Sequence, residues 1–154
     1  MEVAFTFRVL LTPGSGLLPK FYGLEYVMMS AIINVMVIDD DRDCLQSLDS
    51  ALKLNGFNVR GFESPSLAIR QYDPNAVDAV ITDYHFPKMK GTEVVKAIHR
   101  KKYDAPVIVI TGDQDKRIET ISLQTGASAF FRKPLEIGKI IAALEGMGRK
   151  NRAL

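Results

Sequence analysis

The 154-residue chain has very little cysteine, no tryptophan and no apolar run long enough to span a bilayer. Because Cys44 is the only cysteine, the chain can form neither an intrachain disulfide nor a cysteine-rich zinc site. Such sparing use of cysteine is typical of the reducing cytoplasm, and we expect a cytoplasmic location.

Charge of one sign is also scarce. Lysine and arginine number 20 against 18 aspartate and glutamate residues, a net charge of +2, and the basic residues are spread along the chain. This balance argues against nucleic acid or a membrane surface as a partner. A hydrophobic content of 47% and a charged content of 25% are ordinary for a globular protein, and the length suggests one domain.

The two ends of the chain differ from the rest. Few charges occur before residue 33, and "TPGSGLLP" interrupts any periodicity without resembling a signal peptide. We interpret 1–32 as an extension that is non-native or disordered, with translation starting at Met28 or Met29. A genuine partner-binding extension is the alternative. Residues 148–154 are interpreted as a basic tail, too short to fold, so we expect no output domain after 33–147.

From residue 33 onward, short apolar runs alternate with helical periodicity. The predicted strands are "IINVMVI", "FNVRGF", "DAVIT", "PVIVI" and "SAFF". The first predicted helix shows helical spacing at Leu45, Leu48, Ala51 and Leu52 and ends at the Asn-Gly stop at 55–56. The others run from the Ser64 N-cap and Pro65 to Tyr72, from Thr92 to Lys102, from Gln114 to Gln124 and from Leu135 to Met147. Five β-then-α units predict an α/β fold with helices on both faces of a parallel sheet.

Strand composition predicts the order of the sheet. The first, third and fourth strands are continuously apolar, as buried parallel strands are, whereas the second alternates and the fifth contains Ser128 and Ala129. The two weaker strands therefore belong at the edges, in the order 2-1-3-4-5. This is the flavodoxin-like doubly wound arrangement, in which ligands bind beyond the carboxyl ends of the strands.

Polar residues follow four of these strands. Asp39 and Asp40 end the first strand, Asp83 the third, Thr111 the fourth and Lys133 the fifth. Three carboxylates on one rim suit a hard cation such as Mg²⁺. A carboxylate can also accept a phosphoryl group when a cation and a hydrogen-bond donor neutralise the transferring oxygens, as Lys133 and Thr111 could.

Two neighbouring acids have a simpler explanation. Asp41 and Asp43 fall in the first turn of the predicted helix, where the helix dipole favours negative charge. They are therefore interpreted as helix-start residues and not as metal ligands.

The motifs "VIDDD", "DAVITDYHFPKMKG", "VIVITG" and "GASAFFRKP" together resemble the receiver domain of two-component response regulators over about 33–147. The resemblance implies that Asp83 is the phosphoacceptor. It further implies that Asp40 is a direct ligand of Mg²⁺ or Mn²⁺, that Asp39 is largely a water-mediated one, and that the backbone carbonyl of His85 completes the set.

The resemblance also implies a conformational switch. Thr111 would contact the phosphoryl group, Lys133 would pair with it and Phe130 would be the switch aromatic. A histidine kinase or phosphotransfer protein would supply the phosphoryl group, and a downstream protein would bind the face of helix 4, strand 5 and helix 5. Such a domain regulates and is not an enzyme, and its Lys133–Pro134 bond would be cis.

The chain departs from the family pattern at two positions, and other features bear on the lifetime and movement of the switch. Lys90 stands where the family often has Asp or Asn before Gly91, and Phe130 replaces the commoner Tyr. His85 and Asp113 flank the expected path of attacking water. The helix predicted from Gln114 has few apolar anchors (Ile118, Ile121 and Leu123), so we expect it to shift on activation.

Two other functions compete with the receiver interpretation. A haloacid-dehalogenase-like hydrolase would use Asp39 as its nucleophile, but Asp43 occupies the place of the expected Thr or Val. A phosphorylation-independent interaction module would need none of the acids. Mapping the residue labelled by an acyl-phosphate donor separates these hypotheses.

Overall fold

The computed structural model describes residues 33–152, with side chains up to residue 147. The main sheet contains five parallel strands: β1 (Asn34–Ile38), β2 (Asn58–Phe62), β3 (Ala79–Asp83), β6 (Val107–Thr111) and β7 (Ala129–Arg132). A small antiparallel hairpin contains β4 (His85–Phe86) and β5 (Met89–Lys90). The helices are α1 (Arg42–Leu54), α2 (Pro65–Gln71), α3 (Gly91–Lys101), α4 (Lys116–Gln124) and α5 (Ile137–Arg152).

The strand order is β2-β1-β3-β6-β7, which is the predicted order 2-1-3-4-5 with the hairpin taking two numbers. The flavodoxin-like prediction is therefore confirmed. Every residue of β3 and β6 is buried, whereas β2 is exposed at three of its five residues and β7 is only partly buried, as expected of edge strands. The register pairs Asp83 with Ile110 and Thr111 with Arg132, so that the carboxyl ends of the strands lie side by side.

Aliphatic side chains hold the helices against both faces of the sheet. On one face, Leu48 and Leu52 of α1 and Ile140 and Leu144 of α5 are 3% exposed or less. The other face carries α2, α3 and α4 through buried residues that include Ala68, Val94, Val95, Ile98 and Ile118. Each large side chain buried in this way contributes roughly 1.5–3 kcal/mol, which keeps the strand ends in fixed positions.

Local signals set the helix boundaries. Asp41 caps α1, its Oδ1 accepting from the backbone N–H groups of Asp43 and Cys44 at 3.0 and 3.2 Å. Ser64 caps α2, as predicted from the Ser-Pro pair, by accepting from Leu67 N at 3.3 Å. After α1, Gly56 has a φ of 84°, a left-handed conformation that explains the Asn-Gly stop.

Two helices differ from their predicted limits by more than one residue. The α4 helix begins at Lys116 and not at Gln114, because Asp115 caps it. The α5 helix begins at Ile137 and continues to Arg152, so most of the predicted tail is helical backbone, in keeping with the helix propensity of its Arg and Lys residues. The extension predicted at 1–32 lies outside the described residues. No helix in the described part of the chain is long and apolar enough to cross a membrane.

Candidate functional site

Lys133 joins two acids from neighbouring strands. Its Nζ lies 2.8 Å from Asp39 Oδ2 and 2.8 Å from Asp83 Oδ1. The side chains of Asp39 and Asp83 are only 1% and 8% exposed, and that of Lys133 is 24% exposed. The structure therefore brings together three of the residues predicted from the strand ends.

Backbone groups position these side chains. Lys133 N donates to Thr111 O at 2.8 Å directly after β7, which fixes the lysine beside β6. Asp39 Oδ1 accepts from Asp41 N at 3.0 Å, and Asp83 Oδ2 accepts from His85 N at 2.6 Å. Both carboxylates thus have one oxygen on a backbone N–H and the other on the ammonium group.

Burial and hydrogen bonding have opposite effects on the pKa values of Asp83 and Lys133. Burial raises the pKa of Asp83, and the hydrogen bonds from Lys133 and His85 N offset only part of that rise. Burial alone would lower the pKa of Lys133, but its bonds to Asp39 and Asp83 raise it above its usual value. Lys133 is therefore a permanent cation at neutral pH.

The third predicted acid lies apart from this cluster. Asp40 is exposed next to Asp39, and no three His, Cys, Asp or Glu side chains gather as a metal site anywhere in the described residues. Two carboxyl groups, those of Asp39 and Asp83, face the single ammonium group of Lys133. Their carboxylate oxygens, with that of Asp40, are donors of the type that fit Mg²⁺ or Mn²⁺. The metal-ligand set predicted from the sequence, including the His85 carbonyl, remains a prediction.

Thr111 and Phe130 flank the cluster on β6 and β7. Thr111 is fully buried at the end of β6, and its Oγ1 accepts from Asp113 N at 3.1 Å. Phe130 is half-buried against the core on β7, with the Arg132 guanidinium carbon 5.1 Å from its ring centroid. Arg132 also donates to Asp113 O. These contacts connect the β6–α4 loop to the predicted switch aromatic.

The hairpin β4–β5 was not predicted as an element of structure, and Gly91 was not assigned a role in the site. Gly91 N donates to Tyr84 O at 2.7 Å, closing the loop that follows Asp83. A Cβ at position 91 would overlap the backbone oxygen of Asp83 and come 2.9 Å from Tyr84 Cα. Only glycine allows this approach. In the sequence, the only sign of this close approach was a glycine placed shortly after a strand and a short loop.

His85 and Asp113, predicted to flank the site, contact each other. His85 Nε2 lies 3.0 Å from Asp113 Oδ2, joining the loops that follow β3 and β6. The pKa of Asp113 is lowered, first by the hydrogen bond from Asp115 N and then by the one from His85. Sequence spacing alone gave no indication of this contact.

Cys44, in the first turn of α1, lies next to the acid cluster. Burial, followed by a hydrogen bond to Asp39, raises the pKa of its thiol to about 12. The thiol is therefore protonated at neutral pH and belongs to the wall of the site.

The protein is a doubly wound α/β protein. Its buried acids and a lysine lie together at the carboxyl ends of adjacent strands, where such proteins bind their ligands. Within that class, the chain belongs to a family shown by sequence comparison. The model of the response regulator receiver domain matches residues 35–145. The chain is therefore a member of the receiver domain family, and the resemblance seen in its motifs is confirmed.

Individual relatives agree with this assignment. The transcriptional regulatory protein PrrA of Mycobacterium tuberculosis is 31% identical over 116 residues, covering 75% of this chain and 50% of PrrA. The chain thus spans about half the length of this curated relative. A receiver domain from Clostridium thermocellum has a TM-score of 0.74 and 27% identity, covering 79% of this chain and 98% of its own.

A third comparison concerns a more distant structure. A Burkholderia pseudomallei response regulator was solved with a phosphorylated aspartic acid, a calcium ion and citrate. It has a TM-score of 0.67 and 23% identity, covering 79% of this chain and 71% of its own, and so supports the fold alone.

Proposed function

We propose that this receiver domain accepts a phosphoryl group on Asp83 from a histidine kinase or phosphotransfer protein. The observation that carries the proposal is the placement of Lys133 Nζ 2.8 Å from both Asp39 and Asp83. A buried carboxylate held beside a permanent cation has both the nucleophile and the positive charge that phosphoryl transfer requires. In this role the domain is a regulatory phosphoacceptor and not an enzyme.

The transfer is a displacement at phosphorus. A carboxylate oxygen of Asp83 forms the new P–O bond, while the bond from phosphorus to the donor's imidazole nitrogen breaks and its electron pair stays on that nitrogen. Lys133 is placed to pair with the phosphoryl oxygens, and the Thr111 hydroxyl can donate to one of them. His85 N fixes the other carboxylate oxygen at 2.6 Å, which holds the nucleophile in one orientation.

A divalent metal completes this proposal. Asp39, Asp40, Asp83 and the backbone carbonyl of His85 would hold Mg²⁺ or Mn²⁺, with Asp39 acting largely through water. The bound ion would neutralise charge on the transferring oxygens. The excess of carboxylates over cations at the site favours such an ion.

We further propose that phosphorylation changes the face formed by α4, β7 and α5. Thr111 would move toward the phosphoryl group, and Phe130 would turn inward in response. The α4 helix is weakly anchored, since Ile118 is buried but Ile121 and Leu123, both expected to be anchors, are 45% exposed. A downstream protein would bind the two states of this face with different affinities. The cytoplasmic location proposed for this exchange rests on the single cysteine.

The test uses acetyl phosphate with Mg²⁺, followed by mass-spectrometric mapping of the modified residue. We expect a label on Asp83 that disappears in Asp83→Asn and persists in the control Asp43→Asn. A label on Asp39, or turnover of varied phosphoesters, would support the hydrolase instead. Partner binding that is identical in wild type and Asp83→Asn, with no label, would support a phosphorylation-independent module.

A further inference from the structure

A groove of about 340 Å³ lies between α2 and α3, away from the α4–β7–α5 face. Its floor is apolar and consists of Ile69, Met89 and Ala97. Arg70 and Arg100 stand on its rim and are exposed. Apolar side chains beside two cations suit a partner that presents both apolar groups and negative charge.

The charge around the groove is unbalanced. Lys88, Lys90 and Lys96 are exposed on the adjoining hairpin and helix, next in sequence to Met89 and Ala97. None of these lysines and neither rim arginine lies at ion-pair distance from a carboxylate within the described residues.

The acid that lines the groove is already engaged. Glu93 Oε2 accepts from Lys90 N at 2.7 Å, which holds this carboxylate at the start of α3. The groove is therefore positive overall, and its cations are available to acidic groups of a partner.

The groove is also held open by a cross-link between its two helices. Lys101 Nζ donates to Ile69 O at 2.8 Å and to Tyr72 O at 3.1 Å, satisfying carbonyls at the end of α2 from the end of α3. A preformed groove avoids part of the ordering cost of binding.

We propose that this groove binds an acidic amphipathic helix of a partner protein. Apolar side chains spaced three and four residues apart would contact Ile69, Met89 and Ala97, and flanking carboxylates would pair with Arg70 and Arg100. A nucleic acid is disfavoured, because its phosphates would pair with the arginines but would make no use of the apolar residues Ile69, Met89 and Ala97. This site needs no phosphoryl group on Asp83, so its test is independent of the function proposed above.

The test measures binding of a fluorescein-labelled synthetic helix with a leucine stripe and glutamate on its flanks to the unphosphorylated full chain at about 150 mM salt. Arg70→Glu with Arg100→Glu should weaken binding by about tenfold or more, because two attractions become repulsions. The control, Lys116→Glu with Lys139→Glu, makes the same change of net charge on α4 and α5 and should change the Kd by less than about twofold.

Two further measurements locate the peptide and test its chemistry. Amide chemical-shift changes should cluster at Ile69, Met89 and Ala97, and a peptide with the same composition but a scrambled stripe should bind more weakly. The proposal is overturned if the striped peptide does not bind, if both charge-reversal pairs behave alike, or if the shifts map elsewhere. Tighter binding of a single-stranded oligonucleotide would overturn it in favour of nucleic acid.

Discussion

Lys133 and Asp39 lie 94 positions apart in the chain, and a hydrogen bond of 2.8 Å joins their side chains. The same ammonium group reaches Asp83 at an equal distance. One side chain thus balances much of the repulsion between two acids that burial forces together. The proposed function and the stability of this rim therefore involve the same three residues.

Removal of Lys133 should destabilise the fold. Lys133→Met leaves two buried carboxylates facing each other without a cation, and we expect the free energy of unfolding to fall by roughly 2–4 kcal/mol in urea titrations. Asp39→Asn introduced with it should recover part of the loss. The control Lys139→Met removes an exposed cation paired with Glu136 and should cost less than about 0.5 kcal/mol. Equal losses in the two single variants would contradict this account.

The close approach at Gly91 predicts a sharp difference between two glycines. Gly91→Ala places a methyl group against the backbone of Asp83 and Tyr84, and overpacking of this kind costs about 1–3 kcal/mol. Gly138→Ala meets no atom within 4 Å and lies in a helix, so stability should stay equal or rise by up to about 1 kcal/mol. Thermal unfolding measures both. Tolerance of alanine at position 91 would show that the loop after β3 can move.

Metal binding should depend on an exposed acid. Asp40→Asn removes one proposed ligand without disturbing the bonds between Lys133 and its two partners, and we expect the affinity for Mg²⁺ to fall by about tenfold or more. Isothermal titration calorimetry gives the comparison. Asp43→Asn is the matched control because this exposed carboxylate lies in the first turn of α1 and is not a proposed ligand. An unchanged affinity in Asp40→Asn would remove that residue from the ligand set.

The raised pKa of Cys44 predicts slow alkylation. A shift from 9.0 to about 12 lowers the thiolate fraction at pH 8 about a thousandfold. A more basic thiolate is also a stronger nucleophile, and this offsets about 10–30-fold of the loss in thiolate fraction. Iodoacetamide should therefore modify Cys44 in the native protein roughly 30–100-fold more slowly than in the urea-unfolded chain. Similar rates in the two states would show that the thiol is accessible and unperturbed.

Asp115 provides a pH prediction with a definite sign. Its pKa lies at about 2 because Arg117 bonds to it through both side chain and backbone. Since this folded-state pKa is depressed, the contribution to stability is present above the ordinary value of 3.8 and is lost as the pH falls toward 2. Arg117→Gln should raise the pKa of Asp115 only part of the way to 3.8, because the backbone bond remains. A carboxyl NMR titration, with Arg70→Gln as the control, measures the shift.

The strand order could be predicted because the apolar content of each strand indicates how deeply that strand is buried. The uninterrupted apolar residues of β3 and β6 left only central positions for these strands, and the alternation in β2 left only an edge. The cap at Ser64 was equally local, since one side chain and the following proline define it.

Contacts between distant parts of the chain could not be predicted in this way. Two-residue strands such as β4 and β5 are too short to show a period. The proximity of Cys44 to Asp39 and Lys133 depends on how α1 packs beside β1, which no pattern in the sequence indicates. In α4, spacing identified Ile121 and Leu123 as apolar but not as 45% exposed, because burial depends on how the helix lies against the sheet.

The left-handed Gly56 turn between α1 and β2 has a practical use. Helix α1 runs back from the rim that carries the acids, so this turn lies at the opposite end of the sheet, and its exposed residues contact none of the site. Exposed turns of this kind accommodate inserted domains. A fluorescent reporter inserted between Asn55 and Gly56 would therefore leave the acid rim unobstructed, and the chain could serve as the sensing half of a biosensor.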